Sequence, residues 1–183
     1  MPDTPCPVVR VALPGESRAT RFYASTDLAD AYAVRLPEGA SADPEVLARF
    51  LFSHQAPWVV GLLRLRDALV VGFGLKTAAQ LAKAGGPGGE GRIGIFRIYE
   101  IHAHEILLGE DDKHLDFRLS VLRQLRADAG GGSAPHLVLS TVVHCHNLLG
   151  RAYILLIAPF HRQVVQSALR RAARAGWPMA AGA

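Results

Sequence analysis

At 183 residues, half of them hydrophobic, the chain has the length of one domain and enough apolar material for a core that needs no disulfide or metal staple. Its two cysteines, Cys6 and Cys145, lie far apart, and the start of the chain lacks the basic-then-apolar order of a secretory signal; reduced thiols in a cytoplasmic protein are expected. The net charge of +4 comes largely from arginines spread along helical surface, without interleaved aromatics or a binding motif, so nucleic acid is not expected as a partner.

Residues 1–26 hold Pro2, Pro5, Pro7 and Pro14 around the short run VVRVAL and read as an extended arm with at most an edge strand. The domain proper is expected over residues 27–183. DAYAVRLP alternates and puts Tyr32, Val34 and Leu36 on one face of a first strand. Asp43 before Pro44 is an N-cap with proline at the first helical position, and Val46, Leu47, Phe50 and Leu51 supply a buried face. A second short helix is predicted from Trp58 to about Val71, burying Trp58, Leu62, Leu65 and Leu69. Arg64, Arg66 and Asp67 exclude a membrane span there, and AYILLIAPF is too short for one. GGPGGEG lacks the Lys-Ser/Thr pair of a phosphate loop and precedes a strand, so it reads as a linker.

IGIFRIYEIHAHEILLG and KHLDFRLSVLRQL read as a hairpin. With Asp111 and Asp112 as the loop, Glu105 sits opposite Arg118 and Glu110 opposite Lys113. Ile106, Leu108, Leu115, Phe117, Leu119 and Val121 then share the core face. The same phase brings Glu100, His102 and His104 inside, unless a bulge near Ala103 swaps in Tyr99 and Ile101. RADAGGGSAP is a long connection to the strand HLVLSTVVHCHN, whose more apolar set is Leu137, Leu139, Thr141, Val143 and Cys145. After a turn at Asn147 about seven turns of helix follow, with Leu149, Ala152, Tyr153, Leu156, Phe160, Val164 and Ala168 on one face and a kink expected at Pro159.

Two His-x-His pairs, His102/His104 and His144/His146, each sit on one strand face about 7 Å apart, which is metal-ligand spacing. The apolar set of the third strand turns His144 and His146 outward, so no metal or other cofactor is expected. His114, Asp116 and Arg118 read as an exposed hairpin face with cross-strand ion pairs. A nucleophile elbow and an HExxH motif are absent from the sequence.

An α+β chain with this order, strand, two short helices, antiparallel strands and one long C-terminal helix, resembles the START-like helix-grip superfamily of polyketide cyclases, lipid-transfer domains and hormone receptors. The phrases PWVVGLLRLRDALVVGFGLK, LLGEDDKHLDFRLSV and TVVHCHNLLGRAYILLIAPFHRQVV are similar to an uncharacterised bacterial family, domain of unknown function 2867, and span Pro57 to Val165. The resemblance implies a sheet curved around the C-terminal helix with a cavity between them, and it carries no catalytic residues over. Members are sometimes attached to a short-chain-dehydrogenase-like domain; this chain has no GxGxxG after a strand, so an oxidoreductase would be a separate partner.

The function expected is binding of a small apolar or amphipathic molecule in that cavity. Tyr153, Leu156 and Phe160 form the helical wall, and Phe117, Leu119, Thr141 and, if the phase holds, His102 and His104 the sheet wall. The alternative is an enzyme of cyclase, hydratase or isomerase type in which His102, His104 and Glu100 transfer protons. That reading requires all three to point into the same cavity.

Overall fold

The computed structural model describes residues 7–54, 58, 91–127 and 131–180. The branched and alternating segments form strands β1 (Val9–Val11), β2 (Leu28–Arg35), β3 (Arg92–Ile93), β4 (Phe96–Ile101), β5 (Glu105–Asp111), β6 (Leu115–Ala127) and β7 (Ser133–Cys145). They make one antiparallel sheet in the order β1-β2-β7-β6-β5-β4-β3. The α-helices α1 (Pro44–Ser53) and α2 (Leu148–Ala175) and a short 3-10 helix at Arg18–Arg21 accompany it. None is long and apolar enough to cross a membrane.

α1 starts where its cap chemistry dictates: the Asp43 carboxylate accepts from the backbone N–H groups of Glu45 at 2.8 Å and Val46 at 3.3 Å, with Pro44 in the first turn. Leu47, Ala48 and Leu51 are its buried residues, while Val46 is 39% exposed, contrary to expectation. α2 is capped by Asn147, whose side-chain oxygen accepts from Gly150 N–H at 3.0 Å. It continues through Pro159 and ends at Gly176, whose φ of 82° suits a residue without a Cβ. Of the second short helix, Trp58 is helical and 44% exposed, so it is not the buried anchor expected; Leu62, Leu65, Leu69 and most of the glycine-rich linker lie outside the described residues.

One face of the sheet meets both helices. Tyr32, Val34 and Leu36 of β2 and its continuation, Ile106, Leu108, Leu119, Val121, Leu137 and Leu139 pack there against Leu47 and Leu51 of α1 and Val165, Leu169 and Ala172 of α2. Trp177, just past α2, stacks near Phe50 with ring centroids 5.6 Å apart and closes this core. The opposite face is covered by the N-terminal segment: Leu13, Ala19 and Tyr23 pack with Leu107 and Val142, and Val11 and Leu13 with Ala31, Ala33 and Val138. The extended N-terminal stretch thus contributes the edge strand β1, and the residues after it pack as the sheet's second cover.

The β5–β6 hairpin keeps the predicted core face with a different register. Asp111 pairs with Asp116, Gly109 with Arg118 and Glu105 with Leu122, so the loop is Asp112–His114 and the expected Glu105–Arg118 pair does not form. The offset is four residues; an even offset preserves which side chains face the core. Both registers bury the apolar set, and in the observed one Glu105 and Arg118 are buried apart, Glu105 against Ser17 and Ser120 and Arg118 against Asp111. The connection between β6 and β7 is also shorter than expected, because pairing runs on to Ala127↔Ser133.

α2 can lie close to the sheet because Gly150 has no side chain: a Cβ there would stand 2.2 Å from the His114 carbonyl oxygen. Gly150→Ala is therefore expected to lower stability by about 1–3 kcal/mol, the usual range for overpacking, in a urea titration followed by circular dichroism. Gly132→Ala, which meets nothing within 4 Å, is the matched control and should leave the midpoint unchanged.

Candidate functional site

Between sheet and α2 the apolar layer is interrupted. On β7, Leu139 belongs to the main core and Val143 to a smaller cluster with Leu115, Cys145, Ile154 and the edges of Phe117 and Tyr153. Thr141 falls between them on the same face, and its register partners are Asp30 of β2 and Leu119 of β6. Asp30 is in phase with Tyr32 and Val34, so the strand carries its carboxylate to the helix side, where the side chain is 1% exposed.

α2 brings His161 over Asp30. His161 Nε2 stands 3.5 Å from Asp30 Oδ1, and Arg162 Nε 3.9 Å from Asp30 Oδ2. Neither distance makes a hydrogen bond: both Asp30 oxygens, Thr141 Oγ1 and His161 Nε2 are buried polar atoms without a hydrogen-bond partner. Burying an ionised carboxylate costs several kcal/mol unless it is paired and hydrogen-bonded, and here the carboxylate has ion-pair approaches without a hydrogen bond. The arrangement offers two strong acceptors, a hydroxyl and an imidazole in an otherwise apolar layer.

The other face shows the same chemistry with every partner supplied. Glu105, 5% exposed, accepts hydrogen bonds from Ser17 Oγ at 2.6 Å, Ser120 Oγ at 2.6 Å and Arg18 N–H at 3.1–3.2 Å. Arg118, 3% exposed, lies over the rings of Tyr99 at 3.6 Å, Phe22 at 4.3 Å and Tyr23 at 5.6 Å, and its guanidinium meets Asp111 at 2.7 Å. Tyr99 donates to Asp111 Oδ2 at 2.8 Å. Burial, joined by that hydrogen bond, pushes the Tyr99 phenol up to about 12. Burial alone would raise the Asp111 carboxyl, but hydrogen bonds from Arg118 and Tyr99 outweigh it and hold it below its ordinary range. Arg118 is thus buried beneath the N-terminal segment and is not part of an exposed hairpin. His114, also expected to be exposed, is 9% exposed, with Nδ1 2.9 Å from Asn147 Nδ2.

Of the residues expected to form the ligand site, Phe117, Leu119 and Thr141 share the helix-facing side of the sheet, and Tyr153 is half-buried beside Ile154. Leu156 and Phe160 are 59% and 50% exposed, so the helical wall is a different one. α2 carries apolar residues on more than one side. The side that packs is Gly150, Ile154, Val165, Ala168, Leu169 and Ala172, where small residues permit close approach to the strands.

Glu100, His102 and His104 are not in the helix–sheet layer. The register shifts between Ile98 and Glu100, so a bulge at Tyr99, upstream of the position expected, pairs Glu100 with Leu107 on the face covered by the N-terminal segment. There Glu100 Oε2 lies 3.9 Å from Arg18 and 2.7 Å from His102 Nε2, while His104 is exposed in the turn before β5. The condition set for proton transfer by these three residues is not met. His144 and His146 also point away from α2, toward Ser25 O at 3.0 Å and Asp116 at 2.9 Å, and β4 is separated from β7 by β5 and β6. The two pairs do not converge. Burial, with Asp27 beside it, pushes the Cys145 thiol up to about 11.

Asp30 went unread in the sequence, although extending the alternation Leu36, Val34, Tyr32 one step upstream reaches it. Its effect on folding differs from that of Glu105, and substitution separates the two. Glu105→Gln is expected to cost about 1.5–3 kcal/mol, the worth of hydrogen bonds to a charged group. Asp30→Asn, which removes a buried charge that accepts no hydrogen bond at nearly constant shape, should leave the urea midpoint unchanged or raise it. A large loss in Asp30→Asn would show that His161 and Arg162 already satisfy the carboxylate.

A family model described as protein of unknown function (DUF2867) matches residues 22–168. No curated protein and no solved structure matches the chain.

Proposed function

The chain belongs to the DUF2867 family, and we propose that it binds a small amphipathic molecule between the sheet and α2, its polar end held by Asp30, Thr141 and His161. The observation that carries this reading is the Asp30 carboxylate, buried and accepting no hydrogen bond. Such a group is retained against its desolvation cost where a ligand supplies the missing donors. The ligand's polar end must therefore donate, as an amine or a hydroxyl does, and can also accept from Thr141. Phe117, Leu119, Val143 and Ile154 supply the apolar surroundings for the rest of the molecule. The seven-stranded sheet packed on a long C-terminal helix supports the finer reading of the fold as a START-like helix-grip.

A second reading, an enzyme of cyclase, hydratase or isomerase type, is favoured by the His161–Asp30 approach of 3.5 Å and not by the histidines first considered. In it Asp30 orients His161 and stabilises its protonated form, and the imidazole exchanges a proton with the bound molecule.

Native mass spectrometry of the purified protein tests the shared premise. The expected spectrum carries a non-covalent adduct of a few hundred daltons, roughly the size of ligand such sites enclose, above the 19.7 kDa chain. Asp30→Asn should weaken its retention about tenfold or more, the value of a hydrogen bond to a charged acceptor. A bare wild-type chain, or equal retention by the variant, would remove this function.

A further inference from the structure

α2 has a second apolar side that the fold leaves in solvent. Leu148 is 79% exposed, Leu155 78%, Leu156 59% and Phe160 50%, and Ala152 and Pro159 are exposed between them. At helical spacing these residues form one ridge over the first half of α2, opposite the packed line of Ile154, His161 and Val165. Continued toward the C-terminus, the same side carries Gln163, Gln166, Arg170 and Arg174, and the ridge is bordered by Arg151, 3.1 Å from Asp27, and Arg162, 3.9 Å from Asp30. The helix contains five arginines and not one Asp or Glu.

We infer that this outward side of α2 docks on an anionic lipid surface, with Leu148, Leu155, Leu156 and Phe160 entering the headgroup boundary and the arginines meeting phosphates. Charge sets the sign of the partner, since a helix bearing only cations repels a second copy of itself and attracts a negative surface. Area then separates a bilayer from an acidic protein. Leu148 to Phe160 spans about 18 Å on a helix about 10 Å wide, roughly 200 Å², whereas a stable protein interface needs about 800 Å² per partner. An interfacial helix needs no matching pocket; a convex apolar ridge with basic residues beside it is sufficient for reversible adsorption. The inference concerns contact with one leaflet and requires no membrane-crossing segment.

Co-sedimentation of the full chain with vesicles tests it. Binding is expected to vesicles of phosphatidylcholine with phosphatidylglycerol at low salt and to fall when the glycerol lipid is omitted. Leu155→Gln with Phe160→Gln changes only exposed positions and should lower the partition coefficient about tenfold; Arg170→Gln with Arg174→Gln should lower it about fivefold or more. If the first pair impairs folding by circular dichroism, Leu148→Gln with Leu156→Gln takes its place. No sedimentation with anionic vesicles, or undiminished binding by the leucine and phenylalanine variants, overturns the inference. So does lipid-free dimerisation that the same variants abolish, which would give the ridge to a second copy.

Discussion

The approach of α2 to the sheet, set at its first turn by Gly150 against the His114 carbonyl, governs what the remaining residues can do. A side chain at that position would push the helix start away from β6. With it absent, the packed line of α2 runs through small and branched residues, and His161 comes to rest over Asp30 and not out in water. The same rotation turns Leu155, Leu156 and Phe160 outward. The buried approach of His161 to Asp30 and the exposed apolar ridge are thus two consequences of one helix orientation.

Both faces of the sheet are covered, so charged side chains on its inner positions cannot rely on water. On the side closed by the N-terminal segment the problem is solved internally: Ser17, Ser120 and the Arg18 backbone satisfy Glu105, and aromatic rings with Asp111 enclose Arg118. Those contacts also tie residues 17–23 to strands distant in sequence, converting a proline-rich stretch into a structural layer. On the helix side Asp30 receives only the longer approaches of His161 and Arg162. Two buried carboxylates in one sheet are thus held differently: Glu105 accepts hydrogen bonds from Ser17, Ser120 and the Arg18 N–H, whereas Asp30 meets only the side chains of His161 and Arg162 at 3.5 and 3.9 Å.

Local rules read from the chain held where one interaction decided the outcome. Asp43-Pro44 fixed the start of α1, and the turn read at Asn147 is the cap that starts α2, because cap chemistry acts within a few residues. The alternation of Tyr32, Val34 and Leu36 and of Leu137 and Leu139 identified the core face of their strands, since a period of two has only two phases. Expectations failed where several local solutions were nearly equal. The β5–β6 register moved by four residues at no cost to the apolar pattern, and the bulge at Tyr99 reversed the direction of Glu100.

The sequence by itself determined the α+β class, the main strands and capped helices, the inward phase of Phe117, Leu119 and Thr141, and membership of its family. Only the tertiary structure decided which side of α2 packs, that Asp30 and His161 meet, and that Glu100 and His102 lie across the sheet from them. The reason is the range of the forces involved. Caps and alternation depend on neighbours a few residues apart, whereas the facing of an evenly apolar helix and the pairing of Asp30 with a histidine 131 positions later depend on packing volume and desolvation summed over the whole layer.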